Sequence, residues 1–175
     1  RSTLFPYTTL FRSASTLANI DFEQSTKLMT AALRAFHMEL DSGAHITDVY
    51  SELAANAAAN VQDIAYAMSK TSSIAASAGM SFENTAAMLT TMIEVTQEAP
   101  ENLGTAMKSV IARFTEVKKN VSDIEGDIEA IDLNKVDGAL KSVGIALKDD
   151  VGQIRNLDQV FLELSAKWND LHRNT

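Results

Sequence analysis

AASAGMSFENTAAMLTTMIE, residues 75–94, runs into an acidic, proline-containing turn and then into GTAMKSVIARF, residues 104–114, and this stretch decides how the chain folds. Gly79 reaches positive φ after a helix end without a Cβ penalty, and Ser81 then offers an oxygen to the free amides of a following helix. The segment is therefore expected to be the joint of a helical hairpin. Beyond it Phe82, Ala86, Leu89, Ile93 and Thr96 step by four, three, four and three, one face of a helix of period near 3.6. Pro100 suits a first helical turn, and Leu103, Met107, Val110, Phe114 and Val117 step in the same way. Two amphipathic helices thus follow each other across one short turn.

Upstream, Asp21 can cap a helix over about residues 22–40 with Met29, Leu33, Phe36 and Leu40 as its stripe, and Asp41-Ser42-Gly43 reads as its stop. Thr47 is the N-cap expected for the next helix, whose stripe begins with Val49, Leu53 and Ala57 and passes through the alanine-rich residues 54–59. Such small side chains let helices approach closely. Asn60 can cap again, with Ile64, Ala67, Met68 and Ile74 on the apolar side of a helix ending near Gly79.

Downstream, the charged residues 116–137 place Val121, Ile124, Ile128 and Ile131 at three-four-three spacing among Asp and Glu, the pattern of an exposed helical extension or coiled-coil arm. Residues 136–143 form a short helix ended by Gly144. Ile145-Ala146-Leu147, a turn at residues 149–152, and Gln153-Ile154-Arg155 then read as a small β-hairpin. Asn156 or Asp158 caps a last helix, with Phe161, Leu164, Trp168 and Leu171 on one stripe. The fold class expected is all-α, a multi-helix bundle of short amphipathic helices with one β-hairpin near 145–155.

The first thirteen residues read differently. Thr3 to Ser13, TLFPYTTLFRS, is the translation of a common sequencing-library adaptor, and Arg1-Ser2 repeats Arg12-Ser13 as tandem adaptors would. On this reading residues 1–13 are not native, and the remaining 162 of 175 residues are a fragment that opens in mid-gene. The expected organisation is then a helical core over 14–118, the charged extension over 119–137, and a truncated end of the same module over 138–175.

Composition narrows the function classes. Setting the adaptor aside lowers Lys plus Arg from 15 to 13 against 23 Asp plus Glu, so the formal charge moves from −8 to −10. Such a surface repels nucleic-acid phosphates, and no basic cluster exceeds Lys118-Lys119. The absence of cysteine excludes disulfides and thiolate metal sites, and no apolar run reaches the roughly 18 residues of a membrane span.

No chemistry-bearing pattern stands out. His37, His45 and His172 have no ligand spacing. Residues 132–138, DLNKVDG, miss the calcium-loop pattern at the fifth, sixth and twelfth positions. The seven glycines form no phosphate-binding motif, and there is no nucleophile elbow. Asp149-Asp150 and the alternating acids Asp123, Glu125, Asp127 and Glu129 read as solubilising charges. Met80, Met88, Met92 and Met107 read as core fillers before a pliable docking surface. No catalytic residue, cofactor or metal is expected.

The wording of the joint, Ala78-Gly79-Met80-Ser81-Phe82-Glu83 with Thr85-Ala86-Ala87, then Gly104-Thr105-Ala106 and residues 110–114, resembles the core region of phage tail tape-measure proteins. Asn56-Ala57-Ala58 and residues 61–65 extend the likeness upstream, and Val143-Gly144-Ile145 through Lys167-Trp168 extend it downstream, over about residues 22–171. Residues 116–137 are longer and more charged than that family's pattern. The resemblance implies a structural role: a chain in the lumen of the tail tube, assembled in the host cytoplasm, that templates tube polymerisation, sets tail length and assists DNA ejection. Its implied partners are the tail tube protein, tail assembly chaperones and further copies of itself. A helical interaction module of another assembly or secretion system, and a lytic enzyme, are the alternatives. The residues expected to carry the fold are Gly79, Ser81, Phe82, Leu89, Pro100, Phe114, Gly144 and Trp168.

Overall fold

The computed structural model describes residues 21–115 and 133–171, with Arg12, Ser15 and Thr16 besides. The adaptor reading of residues 1–13 falls almost wholly outside the described residues. So do Val117, Val121, Ile124, Ile128, Ile131, Lys118-Lys119, the alternating acids 123–129 and His172.

Seven α-helices lie among the described residues: α1 (Phe22–Ala35), α2 (Gly43–Asn56), α3 (Val61–Ser77), α4 (Phe82–Thr96), α5 (Pro100–Thr115), α6 (Leu133–Ser142) and α7 (Leu157–Leu171), with a short 3-10 turn at Leu40–Ser42. The helix α3 is the axis, packed against α1, α2, α4 and α5. Its Ile64, Ala65, Ala67, Met68, Thr71, Ser72, Ile74 and Ala75 are all buried, an apolar band too wide for one neighbour to cover. Around it Leu28, Met29, Ala32 and Leu33 of α1, Ile46 and Tyr50 of α2, Phe82, Ala86, Leu89 and Ile93 of α4, and Leu103, Met107 and Ile111 of α5 complete the core.

Three helix starts follow the expected capping chemistry. Asp21 accepts from the Gln24 amide at 3.0 Å, Asn60 from Asp63 at 2.8 Å and Ser81 from Asn84 at 3.2 Å. Pro100 opens α5, where its missing N–H costs nothing. Thr47 is not a cap: α2 begins four residues earlier, and the Thr47 hydroxyl donates to the Gly43 carbonyl inside it.

Three helix ends share one backbone device, a residue at positive φ with a pair of reversed hydrogen bonds. After α3, Gly79 has φ 75°, and the amides of Gly79 and Met80 donate to the carbonyls of Ala76 and Ala75. After α6, Gly144 has φ 72°, with Gly144 and Ile145 donating to Lys141 and Leu140. After α1 the same pair joins His37 and Met38 to Arg34 and Leu33, with His37 at φ 53°. The first helix therefore ends at Ala35, not near residue 40, and Asp41-Ser42-Gly43 leads into α2 rather than stopping α1.

The expected β-hairpin near 145–155 is not formed, and no strand occurs among the described residues. A single antiparallel bridge joins Lys148 and Ile154, made by Asp149 donating to Gln153 and Arg155 donating to Leu147. A longer ladder has no room. The Ile145 amide is committed to the end of α6, and Asn156 already accepts at the start of α7. The turn is held instead by the Asp149 carboxylate, which accepts from the amides of Val151 and Gln153. Ile145 and Leu147, read as strand residues, are plugs of the core, 1 % and 0 % exposed.

Candidate functional site

The joint between α3 and α4 gathers most of the residues that the sequence singles out. Gly79 turns the chain, Ser81 caps α4, and Phe82 enters the core at 3 % exposure. There Phe82 is the hub of an aromatic cluster: its ring centroid lies 5.7 Å from Phe36 at an edge-to-face angle of 83°, 5.4 Å from Tyr50 and 6.4 Å from His45. The ends of α1, α2 and α4 thus meet on one side chain. Burial pushes the Tyr50 hydroxyl well above its ordinary pKa.

His45 Nε2 also lies 2.6 Å from the Glu83 carboxylate, and this hydrogen bond holds Glu83 below its usual pKa, burial opposing it. Both side chains are about half exposed, so the pair is a surface tie between α2 and α4.

A second group locks α3 to α5. Gly104, in the second turn of α5, stands where a Cβ would fall within 2.9 Å of Lys70 Cβ and closer still to the Ala67 carbonyl oxygen. Only glycine fits without moving α3. The Thr71 hydroxyl, fully buried, lies 2.8 Å from the Gly104 carbonyl and 3.2 Å from that of Ala67, so its one proton is directed to the neighbouring helix or shared between the two.

From the C-terminal side, α7 reaches the joint. Asp158, 7 % exposed, accepts the backbone N–H of Ser81 on Oδ2 at 2.8 Å, while its Oδ1 is buried without a hydrogen-bond partner. Asn156 lies against Gly79, and Phe161 meets Phe114 edge-on at 5.2 Å. Leu157 and Val160 are fully buried beside them. Arg155 ties the turn down by donating to the Ala146 carbonyl at 2.8 Å and gripping Glu163 through both Nη atoms.

Of the residues expected to carry the fold, Gly79, Ser81 and Phe82 meet at one place with Asp158. Leu89 is fully buried on α4, Pro100 opens α5, and Phe114 is half-buried against α7. Gly144 stands at the end of α6, with Lys167 Nζ donating to the carbonyls of Val143 and Gly144. Trp168, expected on an apolar face, is 55 % exposed. The methionines divide: Met80 and Met107 are buried, Met88 and Met92 half-buried against the core. Sequence reasoning gave no role to Thr71, Gly104 or Asp158 beyond a possible cap. A glycine inside a helical pattern was the available signal for the crossing. Nothing local announced the contact of Asp158 across the chain.

Among the described residues no group of His, Cys, Asp and Glu has the arrangement of a metal site, and no helix is long and apolar enough to cross a membrane. One open depression, lined by residues 57–60, Asp63, Ile93, Gln97 and Glu98, presents mainly polar surface and no convergent pair of catalytic groups. What is built with care in this molecule is helix geometry.

The family model described as phage-related minor tail protein matches residues 8–175. The tape measure protein of Pneumococcus phage Dp-1 is 31 % identical over 99 residues, which cover 57 % of this chain and 8 % of that protein. No solved structure matches. A match running from residue 8 to the last residue leaves one conclusion: the chain belongs to the phage-related minor tail protein family.

Proposed function

We infer that this chain is a core segment of a tape measure, acting within the lumen of the tail tube. Membership of a minor tail protein family makes it a structural component of the phage tail and not an enzyme. The observation that carries the finer reading is the likeness to the Dp-1 tape measure protein, of which the matched stretch is only 8 %. A ruler needs great length made of many helical pieces, because a helix converts residue number into distance at about 1.5 Å per residue.

In this role the segment contacts the tail tube protein during polymerisation, tail assembly chaperones before it, and further copies of itself in the lumen. It also assists DNA ejection. The bends at Gly79 and Gly144 suit a folded bundle before assembly, and a fully helical run of the 162 residues after the adaptor would reach about 240 Å.

The test is made in the phage that carries the gene. An in-frame duplication of the coding segment for residues 14–175 is expected to lengthen tails measured by electron microscopy, by up to about 240 Å where the added copy is fully extended. Tails of unchanged length on otherwise complete particles overturn the reading and leave a helical interaction module as the better account.

A further inference from the structure

We propose that α7 is a latch on the α3–α4 joint, and that Asp158 is its catch. In a capping box the N-cap side chain accepts from the amide three residues on, while a carboxylate at that third position reaches back to accept the N-cap amide. Here Ser81 makes the first half of that exchange with the Asn84 amide. The third position holds Asn84, and the return bond comes instead from α7, where the Asp158 carboxylate accepts the Ser81 N–H at 2.8 Å. The box of α4 is completed by a residue 77 positions away in sequence.

The arrangement couples two events. With α7 docked, both bonds of the capping box of α4 are made at a place where Gly79 has already broken the helix, so the bend is fixed from both sides. With α7 undocked, the Ser81 amide loses its acceptor and the first turn of α4 loses half of its cap. The carboxylate is supported by the partial positive ends of two helices, since Asp158 also stands in the first turn of α7. Yet its Oδ1 is buried with no partner, which offsets part of the gain from docking. The rings of Phe114 and Phe161, with the fully buried Leu157 and Val160, supply the apolar half of the contact. A catch of one half-satisfied carboxylate, one aromatic pair and two buried aliphatic side chains is smaller than the buried surface of α3, so it is expected to yield before the packing around α3 does.

The use of such a latch, to let the bundle open in order on entering a tail, rests on the ruler reading; the latch itself does not. Hydrogen exchange of the purified 175-residue chain tests it without reference to tails. Asp158→Ala is expected to speed exchange of the Ser81 amide, of the first turn of α4 and of α7 by roughly tenfold, while the buried middle of α3 around residues 64–75 keeps its protection. Asp158→Asn keeps an oxygen acceptor and is expected to stay near the unaltered chain. Equal loss of protection in all helices of the Asp158→Ala chain, or no change at Ser81 in it, overturns the latch while leaving the tail-length test untouched. So does an Asp158→Asn chain that exchanges as fast as Asp158→Ala. Unchanged tail length overturns the ruler while leaving the latch standing.

Discussion

The bundle of α1 to α5 and the segment of α6 and α7 are both helical, but they are held by different means. In the first, α3 is buried on most of its circumference and locked to α5 by close approach at Gly104 and by the buried Thr71 bond. In the second, a few fully buried side chains, Ile145, Leu147, Leu157 and Val160, are fixed by polar anchors at Asp149, Arg155, Asp158 and Lys167. Shape complementarity fails all at once, whereas discrete anchors fail one at a time. The chain thus joins a unit that resists opening to one that permits it.

That contrast is broken most severely from the bundle side. Phe82→Ala removes the side chain on which α1, α2 and α4 meet, and is expected to cost about 4 kcal/mol, read as a fall in the urea midpoint common to all helices. A change confined to α4 would show that the aromatic cluster is not shared.

A matched pair of glycine substitutions sharpens the contrast at smaller cost. Gly104→Ala forces a methyl into the Ala67 carbonyl and is expected to cost about 2 kcal/mol through the whole bundle. Gly144→Ala places a side chain at φ 72°, costs about 1 kcal/mol, and is expected to raise hydrogen exchange within residues 133–171 alone. If both spread equally through the molecule, the two regions are one cooperative unit.

The smallest effect expected is at the surface tie. Glu83 is held below its ordinary value of 4.5 first by the hydrogen bond from His45. A depressed carboxyl contributes stability that is present above the unfolded value and is lost as pH falls through the folded one. The window is therefore below pH 4.5, and half-exposure keeps the contribution small. An NMR titration of the Glu83 carboxyl should give a midpoint below 4.5 that rises in His45→Ala; equal midpoints would remove the tie.

The joint was legible in the sequence because its two signals are local. Gly79 marks a left-handed position and Ser81 an acceptor two residues later, and both act where they stand. The end of α1 was not legible, because the same left-handed position is filled by His37, whose side chain does not advertise it. The hairpin expected near 145–155 failed for a related reason: Ile145-Ala146-Leu147 reads as a strand, but nothing in the residues shows that the first amide is already engaged by α6. Ile64, Ala67, Met68 and Ile74 of α3 and Phe82, Ala86, Leu89 and Ile93 of α4 are buried as their spacing suggests, whereas Thr96, on the same stripe of α4, is exposed. For α7 the stripe is sound at Phe161 and Leu164, half-buried, but fades at Trp168, which is 55 % exposed. Period reports which residues share a face, not how far along that face a neighbour extends.

The reach of Asp158 also bears on the order in which the molecule forms. The Thr71–Gly104 bond closes 33 residues and the Ser81–Asp158 bond 77, a difference of about 0.7 kcal/mol in loop entropy. The contacts of α3 with its neighbours in sequence come first on topology alone. During synthesis, α1 to α5 can pack around α3 while α7 is still being made, which would leave the Ser81 amide without its acceptor until Asp158 arrives.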